Sequence, residues 1–123
     1  MAMETKYDVT VTAIGSLART FLENNNSAII LDEGVRPNLA DMVIEHTASD
    51  LKADIVKGDK LKLGNSEYSV VSVGDVVNDT IREEGHCTLV FNTEGSMPGQ
   101  VLLKGPATPV LSLGAHITFL GKK

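Results

Sequence analysis

Apolar and polar residues alternate with period two in several short stretches of the chain. From Tyr7 to Ala13, every second residue is apolar and the residues between are polar. This alternation is typical of a strand with one face on a hydrophobic core. Two further alternating runs, Lys60–Leu63 and Tyr68–Val73, flank the turn residues Gly64-Asn65-Ser66 and predict a hairpin. Further strands are expected at the apolar run Ala28–Leu31, at Met42–His46, at the alternating run His86–Phe91, and at Gln100–Lys104 and His116–Leu120.

Two short segments have helical spacing instead. Apolar residues within Ser16–Glu23 predict a helix that ends at the asparagines 24–26, because asparagine favours turns. A second helix is expected from a cap at Asp75 through Ile81 to Gly85. Glycine at that end readily adopts the left-handed conformation that terminates a helix.

Many short strands with one or two short helices predict an all-β fold, a compact closed or partly closed β-barrel. The helices are too few to cover both faces of a parallel sheet. A β-sandwich is the second choice, and strand order does not follow from the pattern. A chain of 123 residues has the length of one domain, so we expect residues 1–123 to form a single domain.

Composition narrows the class of protein. A net charge of -5 argues against nucleic acid as a partner, because phosphate backbones are bound by clustered cations. The longest strictly apolar run, Ala28–Leu31, is far shorter than a membrane span, and the first residues lack the apolar stretch of an export signal. One cysteine cannot form an internal disulfide, which is compatible with a reducing compartment. We expect a cytoplasmic protein.

The candidate chemistry rests on three histidines, since no nucleotide or metal motif is present. His46 could be an incidental surface residue, because acidic and polar residues lie on both sides of it (Asp41, Glu45, Thr47, Ser49 and Asp50), although alternation would point Glu45 to the opposite face. His86 lies where a helix passes into a strand, and its imidazole could serve either a site or a backbone carbonyl. His116 is expected to be an ordinary surface residue. Cys87 should be a small buried hydrophobe rather than a reactive thiol.

One heptad resembles a known family. Gly85-His86-Cys87-Thr88-Leu89-Val90-Phe91 is similar to the Gly-His-x-Thr-Leu-x-Phe pattern of glucitol/sorbitol-specific IIA components of the bacterial phosphotransferase system (PTS). Further matches follow in order along most of the chain: Ile14-Gly15, Glu33-Gly34, Leu39, His46, Leu61–Gly64, Tyr68, Val70, Val73-Gly74, Pro98-Gly99, Val101, Gly105-Pro106 and Gly114.

The resemblance implies a β-barrel that accepts a phosphoryl group from the phosphocarrier protein HPr and passes it to the IIB component. IIB then phosphorylates a sugar alcohol that the membrane component IIC binds. The position matching the phosphorylated histidine is His46, the nucleophile, and no cofactor or metal is implied. His86 is a candidate supporting imidazole, and Thr88 is a candidate hydrogen-bond donor to the phosphoryl group. Some members have a second histidine where this chain has Ala48.

Two other functions stay open from the residues alone. A binding or regulatory barrel would dock against partners, and its histidines would be incidental. A small metal-binding barrel would bring His46, His86 and His116 together with a carboxylate, although no His-x-His pair is present. The composition also allows a homodimer.

Overall fold

A computed structural model describes residues 3–93, 97–109 and 111–122. Within these residues eight strands form a closed barrel, which confirms the predicted all-β barrel. The strands are β1 (Glu4–Ile14), β2 (Ser27–Asp32), β3 (Ile44–His46), β4 (Lys60–Leu63), β5 (Ser66–Val73), β6 (Cys87–Phe91), β7 (Gln100–Lys104) and β8 (His116–Gly121).

The strand order around the barrel is β1-β3-β2-β6-β7-β5-β4-β8, and β8 pairs with β1 to close the ring. Two neighbouring pairs, β2 with β3 and β6 with β7, are parallel, and the other pairs are antiparallel. The predicted hairpin is confirmed, with Leu63 paired to Ser66. The arc β1-β3-β2-β6 carries the candidate site.

Helix α1 (Ser16–Asn25) and helix α2 (Val77–Glu84) are the α-helices of the described chain, together with one 3-10 turn at Pro37–Leu39. α2 ends at Gly85, whose φ of 62° confirms the predicted left-handed cap. The predicted cap at Asp75 is wrong, because α2 begins later and its N-cap residue is Val76. The valine side chain has no acceptor for the first amides of the helix.

The barrel interior is a hydrophobic core to which β6 contributes Cys87, Leu89 and Phe91, as its alternation predicts. Val90, expected on the outer face, is also buried at 4% exposure but lies outside this core cluster. The outer face of the barrel is therefore covered at this strand.

An irregular segment between β3 and β4 is fastened to the rest of the fold by polar contacts. The Lys6 ammonium lies 2.8 Å from a carboxylate oxygen of Asp59 and donates to the carbonyl of Asp54, and the lysine and Asp59 are both buried. The Asn78 side chain of α2 accepts from the amide of Ile55 and donates to its carbonyl.

Candidate functional site

His46 is the last residue of β3 and is fully buried, with no exposed surface. Side chains on a strand alternate between faces, so His46 lies on the same side as buried Ile44. Glu45 lies on the opposite, half-exposed face, as expected, and its carboxylate accepts a hydrogen bond from the amide of Gly34. The imidazole also makes an edge contact with the ring of Tyr7, at 6.2 Å between centroids. His46 is therefore buried, although the polar residues around it in the sequence suggest an exposed position.

Both ring nitrogens of His46 face backbone carbonyl oxygens. Nδ1 lies 2.8 Å from the oxygen of Thr47, and Nε2 lies 2.9 Å from the oxygen of Gly85. A carbonyl only accepts hydrogen bonds, and a neutral imidazole has a single N–H. The imidazolium ion can donate to both carbonyls, whereas either neutral tautomer leaves one nitrogen lone pair directed at an oxygen.

Gly85 connects His46 to the heptad that begins at the end of α2. A Cβ atom added to Gly85 would lie 2.2 Å from Oδ1 of Asp32 and 2.7 Å from Cε1 of His46. Both distances are far below van der Waals contact. The position therefore requires glycine both for its positive φ and for this close approach. The sequence pattern and the buried histidine thus belong to one structural unit.

Asp32 is the third member of this unit and is the residue that sequence reasoning missed. It ends β2, where it pairs in parallel register with His46. Its Oδ1 lies 3.6 Å from Nδ1 of His46, which is an ion-pair distance but too long for a hydrogen bond. Among the described residues this oxygen is buried without a hydrogen-bond partner. The available signal was a carboxylate directly after the apolar run Ala28–Leu31, beside the matched Glu33-Gly34.

The electrostatic environment of Asp32 is mainly set by burial. Burial raises the pKa of Asp32, the nearby imidazole of His46 lowers it, and the carboxylate of Glu84 raises it. Glu84 itself is bound to Arg36 through two hydrogen bonds of 3.0 and 3.1 Å. Burial, with help from the charge of Asp32, also raises the pKa of Tyr7, whose hydroxyl oxygen is buried without a partner in the described chain.

Among the described residues, neither the His86 nor the Thr88 side chain makes a hydrogen bond or ring contact with His46. The backbone of His86 is held by Thr80, which accepts from its amide and donates to its carbonyl. Its half-buried imidazole makes no hydrogen bond or ring contact with another described residue. Thr88 is half-buried on β6 between two core residues, so alternation places its side chain on the face opposite to the core.

The two remaining candidates behave as the sequence predicts. His116 is exposed on β8, and its Nδ1 lies 3.1 Å from a carboxylate oxygen of Asp8. Cys87 is buried in the core, and burial raises the pKa of its thiol to about 12. A thiol in that state is not a nucleophile near neutral pH.

Comparison with known proteins decides the family. Residues 6–118 match the family model described as the PTS system glucitol/sorbitol-specific IIA component. The chain belongs to the glucitol/sorbitol-specific IIA family. Proteins of that name from Shigella flexneri and Escherichia coli (strain K12) are each 33% identical to it over 115 residues, 92% of this chain and 93% of each relative.

A solved structure shows the same fold. The PTS system IIA component from Enterococcus faecalis V583 superimposes with a TM-score of 0.83, at 24% sequence identity, over 93% of this chain and 99% of that one. Family membership confirms the resemblance based on the Gly85–Phe91 heptad and makes this IIA chain a component of a phosphotransferase system.

The described part of this IIA chain has neither a cluster of metal-ligand side chains nor a helix that could span a membrane. In residues 3–93, 97–109 and 111–122, no three or more His, Cys, Asp or Glu side chains are grouped as metal ligands. Neither α1 nor α2 has the length and hydropathy that a bilayer span requires, and the same holds for every helix in the described residues.

Proposed function

We propose that this protein is the phosphoryl carrier of a cytoplasmic sugar-alcohol phosphotransferase system. In this proposal His46 accepts the phosphoryl group from HPr and passes it to the IIB component, which acts with the membrane component IIC. Membership of the glucitol/sorbitol-specific IIA family supports the general role. The observation that supports the residue is the contact between Nε2 of His46 and the carbonyl of Gly85, the first residue of the heptad.

The chemistry requires a neutral imidazole. A ring nitrogen of His46 attacks the phosphorus of the phosphohistidine on HPr while the donor N–P bond breaks, and the donor imidazole leaves with the electron pair of that bond. The proton on the other nitrogen of His46 stays in place, so the product is a phosphoimidazolium ring. Transfer to IIB reverses these steps with a nucleophile of IIB as the acceptor.

The full burial of His46 implies that the site opens for transfer. The donor, the phosphorus and the accepting nitrogen must be nearly in line, which a buried imidazole does not allow. Displacing the carbonyl of Gly85 frees Nε2 without unfolding β3. We infer that the junction between α2 and β6 moves when HPr binds.

The test is phosphorylation of the purified chain with phosphoenolpyruvate, enzyme I and HPr. We expect an acid-labile, alkali-stable phosphate on the wild-type chain, which IIB then removes. His46→Gln should abolish the label, whereas the matched control His116→Gln, at an exposed position on β8, should keep it. Thermal melts of both variants show whether they fold.

Two results would contradict the proposal. Full labelling of a folded His46→Gln variant would place the phosphoryl group elsewhere. An unlabelled wild-type chain would instead favour a binding or regulatory barrel, in which the two carbonyl contacts give His46 a purely structural role.

We also propose supporting roles for His86 and Thr88 in the opened site. His86 follows Gly85 directly, so displacement of that peptide also moves His86. His86→Ala and Thr88→Val should each slow phosphoryl acceptance without abolishing it, in rapid-quench measurements with labelled HPr. Rates equal to wild type would remove these residues from the mechanism.

A further inference from the structure

We propose that Asp32 is a positioning residue for His46: it keeps the ring proton on Nδ1 and thereby makes Nε2 the nitrogen that accepts the phosphoryl group. The tautomer is a property of the unphosphorylated chain, and only the accepting nitrogen rests on the function proposed above.

The two nitrogens of His46 differ in the number of acceptors that surround them. Nδ1 faces both the carbonyl oxygen of Thr47 at 2.8 Å and Oδ1 of Asp32 at 3.6 Å. Nε2 faces the single carbonyl oxygen of Gly85 at 2.9 Å. If the imidazolium loses the proton on Nε2, only the hydrogen bond to Gly85 is lost, and the proton on Nδ1 stays close to the carboxylate of Asp32. If it loses the proton on Nδ1, the hydrogen bond to Thr47 and the attraction to Asp32 are both lost. The reactive lone pair is therefore on Nε2.

The fold holds Asp32 in this place. Parallel pairing sets the residue beside His46 at the ends of β2 and β3. Gly85 packs so closely against the carboxylate that only a residue without a side chain fits there. Oδ1 is buried with no hydrogen bond in the described residues, so a proton on the nearby Nδ1 of His46 stabilises a polar atom that burial otherwise penalises.

The carboxylate also suits the product of transfer. A histidine phosphorylated on Nε2 while Nδ1 keeps its proton carries a positive ring, and Asp32 lies on the side of that proton. Glu84, the other carboxylate that acts on Asp32, is paired with Arg36 through two hydrogen bonds. That pairing limits the additional negative charge that acts on Asp32.

Nitrogen-15 NMR of histidine-labelled protein tests the tautomer without any phosphorylation. At a pH where the ring is neutral, we expect the two-bond couplings of His46 to show a protonated Nδ1 and a bare Nε2. In Asp32→Asn the population protonated at Nε2 should rise, which loss of packing alone would not cause. A wild-type ring protonated at Nε2 would overturn the proposal whether or not the chain is a phosphoryl carrier.

Phosphorylation kinetics test the consequence. Asp32→Asn should slow acceptance from phosphorylated HPr about tenfold, since removing a charge at this distance has an effect of that order. Asp32→Glu should recover part of the rate. Glu45→Gln is the matched control, because it removes the same charge one residue from His46 but on the opposite face, and its rate should stay within about twofold of wild type.

These experiments distinguish a failure of the Asp32 role from a failure of the proposed function. Equal rates for Asp32→Asn and Glu45→Gln, or a wild-type phosphohistidine with phosphorus on Nδ1, would refute the role of Asp32 while leaving His46 as the carrier. A labelled chain whose phosphate is not on His46 would refute the proposed function, and the tautomer measurement would still decide the role of Asp32.

Discussion

Substitution of Gly85 by alanine should reduce the free energy of unfolding more than the same substitution at Gly64, a glycine with similar backbone geometry. Gly85 has a φ of 62° and Gly64, in the β4–β5 hairpin, has a φ of 57°. An alanine pays the left-handed penalty at both positions, about 1–2 kcal/mol each. The added Cβ at Gly64 has no atom within 4 Å, whereas at Gly85 it lies 2.2 Å from Asp32 and 2.7 Å from His46.

The difference in unfolding free energy between Gly85→Ala and Gly64→Ala measures the cost of placing a Cβ against Asp32 and His46. Overpacking typically destabilises a protein by about 1–3 kcal/mol, so Gly85→Ala should lose about 2–5 kcal/mol and Gly64→Ala about 1–2 kcal/mol. The His46 imidazole is enclosed on all sides, whereas the Asp32 side chain is 19% exposed, so His46 has less room to move away from an added Cβ. The clash therefore falls mainly on the His46 imidazole.

Urea denaturation followed by far-ultraviolet circular dichroism measures this difference, because the chain has no tryptophan to report by fluorescence. The phosphorylation assay gives the second readout, in which Gly64→Ala should be labelled normally and Gly85→Ala should be labelled poorly. Equal stability and equal labelling of the two variants would refute the idea that Gly85 is required by its contacts with Asp32 and His46.

Two further predictions concern buried charge. Lys6→Met leaves the carboxylate of Asp59 buried and unpaired, so it should reduce the free energy of unfolding by about 3–5 kcal/mol in urea titrations, and adding Asp59→Asn should restore part of it. Fully additive losses would contradict an ion-pair origin. Burial raises the pKa of Asp32 in the folded chain. Between the unfolded pKa, about 4, and this raised pKa, the folded chain keeps a proton that the unfolded chain has released. The free energy of unfolding should therefore fall as the pH rises through this range. Asp32→Asn should lack this fall, and an unchanged pH profile of unfolding would show that Asp32 is not its source.

Local sequence patterns predicted the elements of the fold but not their arrangement around the barrel. Alternation identified the hairpin β4–β5 and the core face of β6, because both depend on residues close together in the chain. The parallel pairing of β2 with β3 depends on how residues 33–43 cross between them, and no local pattern specifies that crossing. Strand order therefore required the structure.

The same limit applies to the site. His46 was identified through the resemblance, but its burial was not expected, because the residues after it are polar. The alternation that links it to Ile44 was the better guide. Asp32 was missed because its relation to His46 exists only through the parallel register of two strands. Gly85 was correctly placed at a helix end, whereas its contact with a histidine 39 residues away could not be inferred.

The pairing of β1 with β8 has a consequence for how this chain acquires its structure. Glu4 pairs with Gly121, so the ring closes through contacts between strands that are far apart in sequence, which is a topology associated with slow folding. The residues that contact His46 all precede β7, and the arc β1-β3-β2-β6 is contiguous in the ring. During synthesis the ribosome therefore releases every part of the site before the two strands that complete the barrel.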